Sequence, residues 1–405
     1  MKPGMKIVCD DKIPFLKGVL EPYARVVYLP GQEISAEVVK GADAMIIRTR
    51  TICDRALLEG SSVKIVATAT IGYDHIDTAW CESHGIVWKN APGCNSSSVQ
   101  QYIASVLCVL AERFNLRFKD LTLGVVGVGH VGSKVAEAAR ALGMKVLLCD
   151  PPRAREEGPE GFVDLNEIVS STDIITLHVP LSHDGPDATW HMFDSERIAS
   201  LRPDQILINS SRGPVVDNPA LKNALKAGRI KAAVLDVWEN EPDIDLELLN
   251  LLTIATPHIA GYSADGKANG TAASVQAVAA YLGLPLTDWA PSAMSFPARF
   301  QESAESGCKP IISPRESAEP GSQHMVFSLD ATGKTVQDVL SEAILNTYDV
   351  REDDEELRLN PELFEKLRGN YPVRRDFGAF VVRLLNGTLK AEESLTGLGF
   401  NLEEC

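Results

Sequence analysis

Short, uninterrupted apolar runs recur from the start of the chain, each followed by a stretch whose apolar positions fall three or four residues apart. The runs KIVCD (6–10), RVVYL (25–29), AMIIR (44–48), KIVAT (64–68) and GIVWKN (85–90) predict strands. Continuous apolar strands separated by helices are the mark of a parallel sheet covered on both faces. A second series begins at Leu121, with LTLGVVG, KVLLCD, DIITLHV, QILINS, KAAVLDV and LTIAT. The pattern therefore predicts two doubly wound α/β units in tandem, joined by a helix from Ser96 to Glu112. A second helical stretch, Ser263 to Leu282, is placed to return to the first unit and make it discontinuous, with a cleft between two lobes. The expected division is 1–99 with 264–286, then 100–263, then 287–405.

The stretch 291–323 is rich in proline and serine and reads as an irregular linker or surface excursion. Beyond it HMVFSL (324–329), a helix over 336–348 and AFVVRLL (379–385) predict a third, smaller α/β unit. Its charged run REDDEELR (351–358) is expected to be a solvated face.

Composition narrows the function classes. With 45% hydrophobic and 23% charged residues, the 405-residue chain is expected to be globular and to hold more than one core. A net charge of -16 repels phosphate backbones and anionic lipid surfaces, and no basic patch offsets it. Neither nucleic acid nor membrane is an expected partner. Cysteines at 9, 53, 81, 94, 108, 149, 308 and 405 form no CxxC pair, which favours reduced thiols over a disulfide frame or a metal site. The N-terminus has no signal-peptide core, and no apolar run is long enough to cross a bilayer, so a cytoplasmic location is expected.

Candidate chemistry lies in the second series. LTLGVVGVGHVGSK carries Gly127, Gly129 and Gly132 as GxGxxG at the end of an apolar strand and the start of a helix, with Asp150 ending the next strand. Such a loop lets a pyrophosphate approach the backbone and the helix N-terminus. Asp150 would accept from the ribose hydroxyls and repel a 2'-phosphate, which favours NAD over NADP and marks this lobe as a Rossmann unit. A bare glycine turn in a nucleotide-free domain is the competing reading.

Ligands of open α/β sheets bind beyond the carboxyl ends of the strands. There QILINSSRG delivers Arg212, KAAVLDVWENEP delivers Asp236 and Glu241, and LTIATPHIAG delivers His258. A histidine can take a hydroxyl proton as hydride leaves the carbon, a carboxylate can orient its ring, and an arginine can hold a substrate carboxylate. Taken singly, His258 could be a satisfied structural group and Arg212 a loop cap.

These residues resemble the D-2-hydroxyacid dehydrogenase family over about residues 5–285, through TIGYDHID, NAPGCNSSSVQQYI, GVGHVG, NSSRGPVVD, LDVWENEP and TPHIAG. The resemblance implies a Rossmann NAD-binding lobe, a flavodoxin-like substrate lobe and catalytic roles for Arg212, Glu241 and His258. It implies cofactor contacts at Gly127, Gly129, His130, Val131, Gly132, Asp150, Val179, Ser210, Asp236 and Gly261, and substrate contacts at Arg48, Thr49, Thr70 and Tyr262. CDPPRA (149–154), LSHDGPDATWHM and HIAGYSADGKANGT point to a branch acting on a phosphorylated 2-hydroxy acid. The C-terminal unit, with TYDVREDDEELR and LRGNYPVRRDF, is similar to that branch's dimerisation domain and implies a homodimer. Gln101 stands where relatives usually carry an acid. Arg48 or Arg50, helped by Arg351 or Arg374 of a partner subunit, is expected to hold the phosphate. Two other readings share the trio or the fold: a phosphoglycerate dehydrogenase, and a catalytically idle NAD-sensing scaffold.

Overall fold

A computed structural model describes residues 4–291, 313–316 and 323–403. Most of the Pro/Ser-rich stretch 291–323, together with Cys308 and Cys405, lies outside the described residues. The chain forms two compact units, Met1–Asn95 with Ser263–Met294, and Ser96–Tyr262 with Ser295–Cys405.

The first unit holds β1 (Lys6–Asp10), β2 (Arg25–Leu29), β3 (Ala44–Ile47), β4 (Ile65–Thr68) and β5 (Val87–Lys89) in the all-parallel order β2-β1-β3-β4-β5. This is the flavodoxin-like order, with its reversal between β1 and β3. One face is closed by the helix Ala264–Leu282, whose Val275 and Val278 pack with Ile7, Cys9, Ile46 and Ala67.

In the second unit β6 (Thr122–Val126), β7 (Lys145–Cys149), β8 (Ile174–Leu177), β9 (Ile206–Asn209), β10 (Ala232–Leu235) and β11 (Ile254–Ala255) form a parallel sheet ordered β11-β10-β9-β8-β6-β7. The strand order reverses between β6 and β8, where doubly wound sheets bind dinucleotides. The same unit contains a smaller sheet of β12 (Ser313–Glu316), β13 (Gln323–Asp330), β14 (Phe380–Leu385) and β15 (Asn401–Leu402), parallel except for the β12–β13 pair.

The helix Ser96–Phe114 joins the two sheets of this unit. It is buried on nearly every side from Ser98 to Ala111, its polar Gln100, Gln101 and Ser105 included, unlike a surface helix with one apolar stripe. Its Tyr102, Val106, Leu107 and Leu110 share one core with β6 and with Phe327, Leu340 and Phe380 of the C-terminal part. Its polar residues bond across the same junction: Gln100 Nε2 to the Leu398 carbonyl at 3.3 Å, Gln101 Nε2 to the Arg375 carbonyl at 3.0 Å, and the Val350 amide to Ser105 Oγ at 3.0 Å. An amide at position 101 thus donates to a carbonyl, which an ionised acid could not do.

The acidic run departs from expectation. It forms the helix Val350–Leu359, which turns Asp353, Asp354, Leu357 and Arg358 inward. Asp353 Oδ2 accepts from the hydroxyls of Tyr348 and Tyr371, both at 2.7 Å. Asp354 Oδ1 accepts from the Ala255 amide at 2.7 Å and so covers β11, the edge strand of the larger sheet. Arg358 pairs with Asp354 and donates to the carbonyls of Leu249 and Leu252. Only Glu355 and Glu356, with Arg351 and Glu352 at the start, form the solvated side.

Candidate active site

The glycine loop leaves β6 as the sequence predicts. Gly127 has φ +83, a region glycine enters without strain, and a Cβ there would lie 2.6 Å from the His178 carbonyl and 2.8 Å from Val179 Cγ1. At Gly132 a Cβ would lie 1.9 Å from the Gly127 carbonyl, so glycine alone lets helix and strand come this close. A Cβ at Gly129 would meet nothing, and the helix His130–Ala141 opens there with no side chain capping its first amides. Open space in front of unpaired N–H groups and a positive helix end is suited to a diphosphate. Val131 is partly buried and His130 exposed at that helix start.

Asp150 stands at the end of β7 with both carboxylate oxygens engaged: Oδ2 accepts from the Val128 amide at 2.7 Å and Oδ1 from the Arg153 amide at 3.1 Å. It therefore locks the glycine loop to the start of the helix Pro151–Glu157 while remaining partly accessible. Asp150→Ala is expected to raise NADP use relative to NAD about 10-fold or more by removing the charge that rejects a 2'-phosphate. The lost cap costs about 1 kcal/mol. Steady-state rates with the two cofactors, alongside thermal melting, check this; an unchanged preference would remove Asp150 from the ribose role.

Across the reversal point, burial drives the His178 imidazole down to about 3, which favours the neutral ring. Val179 follows it against the loop. Beyond β9 the Ser210 hydroxyl is buried and has no hydrogen-bond partner among the described residues. An orphaned buried hydroxyl at the strand ends of a dinucleotide-binding sheet is a group that a ligand would satisfy.

Arg212, Glu241 and His258 follow β9, β10 and β11, three neighbouring parallel strands. Asn209 braces the arginine loop: its Nδ2 donates to the Arg212 carbonyl at 2.9 Å, and its Oδ1 accepts from the Ser211 amide and hydroxyl. His258 has φ +56, an uncommon left-handed conformation for a histidine. It is held there by its own amide on the Asp236 carbonyl at 2.7 Å, and by the Ile259 and Ala260 amides on the Asp236 carboxylate at 2.7 and 3.0 Å. Strain of this kind persists only where surrounding bonds over-determine it.

Asp236 was expected to touch the cofactor. The structure commits its carboxylate, in a residue 1% exposed, to the histidine loop and to Thr256 Oγ1 at 2.7 Å, which in turn accepts from the Tyr102 hydroxyl at 2.8 Å. Burial raises the Asp236 carboxyl, opposed by His258, Thr256 and the two amides.

His258 Nδ1 lies 2.8 Å from Glu241 Oε2. Burial alone would raise the Glu241 carboxyl, but the His258 hydrogen bond and charge, the Trp238 amide and the Arg368 guanidinium outweigh it and hold Glu241 below the ordinary carboxylate range. An ionised Glu241 makes Nδ1 the donor and leaves Nε2 with its lone pair outward.

Two residues of this site had no local signal. Trp238, 2% exposed, ties the three loops together: its amide donates to Glu241 Oε1 at 2.9 Å, its indole donates to the Thr256 carbonyl at 3.0 Å, and its own carbonyl abuts Gly213 beside Arg212. Its apolar context reads as ordinary core, although its place before ENEP was visible. Arg368, from the short helix Phe364–Gly369, lies 3.8 Å from Glu241 Oε2.

Of the expected substrate contacts, Arg48, Thr49 and Thr70 follow the adjacent strands β3 and β4 of the first unit. Arg48 Nη1 donates to the Lys12 carbonyl at 3.3 Å, and Thr70 Oγ1 donates to the Gly72 carbonyl at 2.9 Å. Tyr262, adjacent to Gly261, belongs to the second unit and meets Tyr371 edge-on at 5.9 Å. Arg374 is not available to a partner's phosphate. It is 3% exposed within its own chain, over the Tyr348 ring at 4.4 Å and donating to the Ala260 carbonyl at 2.6 Å. Arg351 pairs with Asp349 and Glu112 but keeps its side chain 47% exposed. Among the described residues no cluster of three or more His, Cys, Asp or Glu could hold a metal ion, and no helix is long and apolar enough to cross a membrane.

Comparison with known proteins agrees with this geometry. Residues 108–260 match the family described as D-isomer specific 2-hydroxyacid dehydrogenase, NAD binding domain, and residues 322–399 match a domain of unknown function, DUF3410. A D-lactate dehydrogenase from Aquifex aeolicus, solved with NAD and lactic acid, superposes with a TM-score of 0.59 at 27% identity over 69% of this chain and 95% of that one. The fold, its dinucleotide loop and these matches define the class: the NAD-dependent D-2-hydroxyacid dehydrogenases. An erythronate-4-phosphate dehydrogenase of Bacteroides fragilis is 46% identical over 93% of this chain and 98% of its own length, and that of Proteus mirabilis is 39% identical over 98% and 99%. Within the class, the chain belongs to the erythronate-4-phosphate dehydrogenase family.

Proposed function

We propose that this chain oxidises 4-phospho-D-erythronate to 2-oxo-3-hydroxy-4-phosphobutanoate with NAD, a step of pyridoxal 5'-phosphate synthesis. The observation that carries the reading is the His258–Glu241 pair, 2.8 Å apart at the strand ends of a dinucleotide-binding sheet. Bound at the glycine loop, the dinucleotide would supply the hydride acceptor. His258 Nε2 takes the proton of the C2 hydroxyl, and the ionised Glu241 steadies the imidazolium that forms. Arg212 grips the substrate carboxylate and polarises the forming carbonyl. Arg48, Thr49, Thr70 and Tyr262 bind the rest of the substrate, with Arg48 and Arg50 as the cations for the phosphate. The glycine loop, Asp150, Val179, Ser210 and Gly261 hold the cofactor, with Asp236 supporting from beneath. The similarity of the C-terminal part to a dimerisation domain supports a homodimer.

A substrate panel read by nicotinamide absorbance tests this. The highest kcat/KM is expected for 4-phosphoerythronate, ahead of 3-phosphoglycerate and unphosphorylated 2-hydroxy acids. Preference for 3-phosphoglycerate would make the chain a phosphoglycerate dehydrogenase, and no turnover with any of them would leave an NAD-binding scaffold.

A further inference from the structure

The second matched region, residues 322–399, is described only as a domain of unknown function. It contributes Arg368 to the neighbourhood of the histidine and glutamate. We propose that Arg368 is a positioning residue for the proton transfer: its guanidinium shares the Glu241 carboxylate with His258, links it to Tyr262, and sets the pH at which the pair can accept a proton. This rests on the catalytic reading of His258 and Glu241 given above.

The geometry is specific. Arg368 Nη1 lies 3.8 Å from Glu241 Oε2, the same oxygen that His258 Nδ1 reaches at 2.8 Å. The guanidinium also lies beside Tyr262 and forms an ion pair with Glu365 at 3.1 Å. At 3.8 Å the contact with Glu241 is an ion pair rather than a hydrogen bond. Its side chain and that of Glu241 are each 18% exposed, so their charges act through a medium less screening than water.

A purely structural arginine would be expected to spend its donors on backbone carbonyls, as Arg358 does on Leu249 and Leu252. Arg368 instead leaves its buried Nε without a partner among the described residues while its head group lies among Glu241, Tyr262 and Glu365. The charged and titratable groups around the pair are Asp236 beneath His258, Arg374 on the Ala260 carbonyl with Asp353 next to it, Arg368 beside Glu241, and Glu365 and Tyr262 around Arg368. The remaining Glu241 oxygen is held by the uncharged Trp238 amide. Arg368 is therefore the cation on the Glu241 side of the pair, and its charge opposes protonation there.

The sign of the effect follows. Oxidation needs the pair deprotonated, and a neighbouring cation favours loss of its proton. Removing that cation moves the acid limb of kcat/KM to higher pH, by about one unit for a partly buried charge at this range. Arg368→Gln should show this shift with NAD affinity unchanged, and Arg368→Lys, which keeps the charge, should return most of the limb. Glu365→Gln should move it the other way, because it removes the carboxylate that neutralises Arg368. Glu365 is partly exposed, so this variant keeps the fold and decides the matter alone if the glutamine variant does not fold.

The same shifts should appear without turnover, as the titration midpoint of the His258 ring resonances in the cofactor-free protein. Limb and midpoint unmoved in Arg368→Gln and Glu365→Gln would overturn the proposal and leave Arg368 a structural ion pair. Absence of wild-type turnover with 4-phosphoerythronate would instead overturn the reading of function, which the ring titration does not depend on.

Discussion

Replacing His258 with glutamine is expected to cut kcat by roughly 10² to 10⁴, the usual worth of a positioned general base, while NAD still binds near its wild-type affinity. Glutamine fills a similar volume and can still donate to Glu241 Oε2, so the loop held by the Asp236 carboxylate should stay in place. What is lost is the lone pair on Nε2 and a ring able to carry the proton at neutral pH. Stopped-flow absorbance of the first turnover, with NAD affinity from fluorescence titration, separates the chemical step from binding. Activity within a few-fold of wild type would mean that another group takes the proton, and would remove the His258–Glu241 pair from the chemistry.

Gly213→Ala is expected to do comparable damage without touching a catalytic side chain. A Cβ at position 213 would lie 1.9 Å from the Trp238 carbonyl oxygen and 2.6 Å from the Glu239 amide nitrogen, both backbone atoms that no rotamer change can move. The loop carrying Arg212 must then separate from the loop carrying Glu241. Overpacking of this kind typically costs about 1–3 kcal/mol, and more where only backbone can yield. A displacement of roughly 1 Å between groups that act together costs about 100-fold in rate. Thermal melting should show the loss of stability, and kcat/KM should fall even well below the melting temperature. Wild-type rates in a folded Gly213→Ala protein would show that the spacing between these loops does not matter for activity.

Much of this site was legible along the chain, because its parts report through short-range patterns. Strands β1, β2, β7 and β14 fall where continuous apolar runs placed them, within a residue at each end. The glycine loop was readable from three residues at fixed spacing after a strand, and the structure gives Gly127 and Gly132 the backbone reasons that this spacing implies. Arg212, Glu241 and His258 were found because each follows a predicted strand of one parallel sheet, and topology sends such residues to one rim.

What escaped did so for physical reasons. β12 and β15 went unpredicted: Ser313–Glu316 is polar with no alternation, and Asn401–Leu402 is too short to show a period. The acidic run read as solvated because charge patterning does not show which carboxylates find donors. Asp353 found two tyrosine hydroxyls and Asp354 the free amide of an edge strand. Arg374 looked like a candidate for phosphate until its burial against Tyr348 and Tyr371 was seen.

The amino-acid sequence alone determined the doubly wound architecture and the dinucleotide loop, and it singled out Asp150, Arg212, Glu241 and His258 as the side chains to propose for cofactor selection and chemistry. Each of these depends on residues close together along the chain, or on a strand order that hydrophobic periodicity implies. The tertiary structure decided which loops share a backbone contact, which carboxylate is spent beneath the site and which is left for the imidazole. It also brought Arg368 from the C-terminal segment to Glu241. Those outcomes depend on contacts between segments far apart in the chain, where burial and hydrogen-bond geometry, rather than local pattern, select the partner.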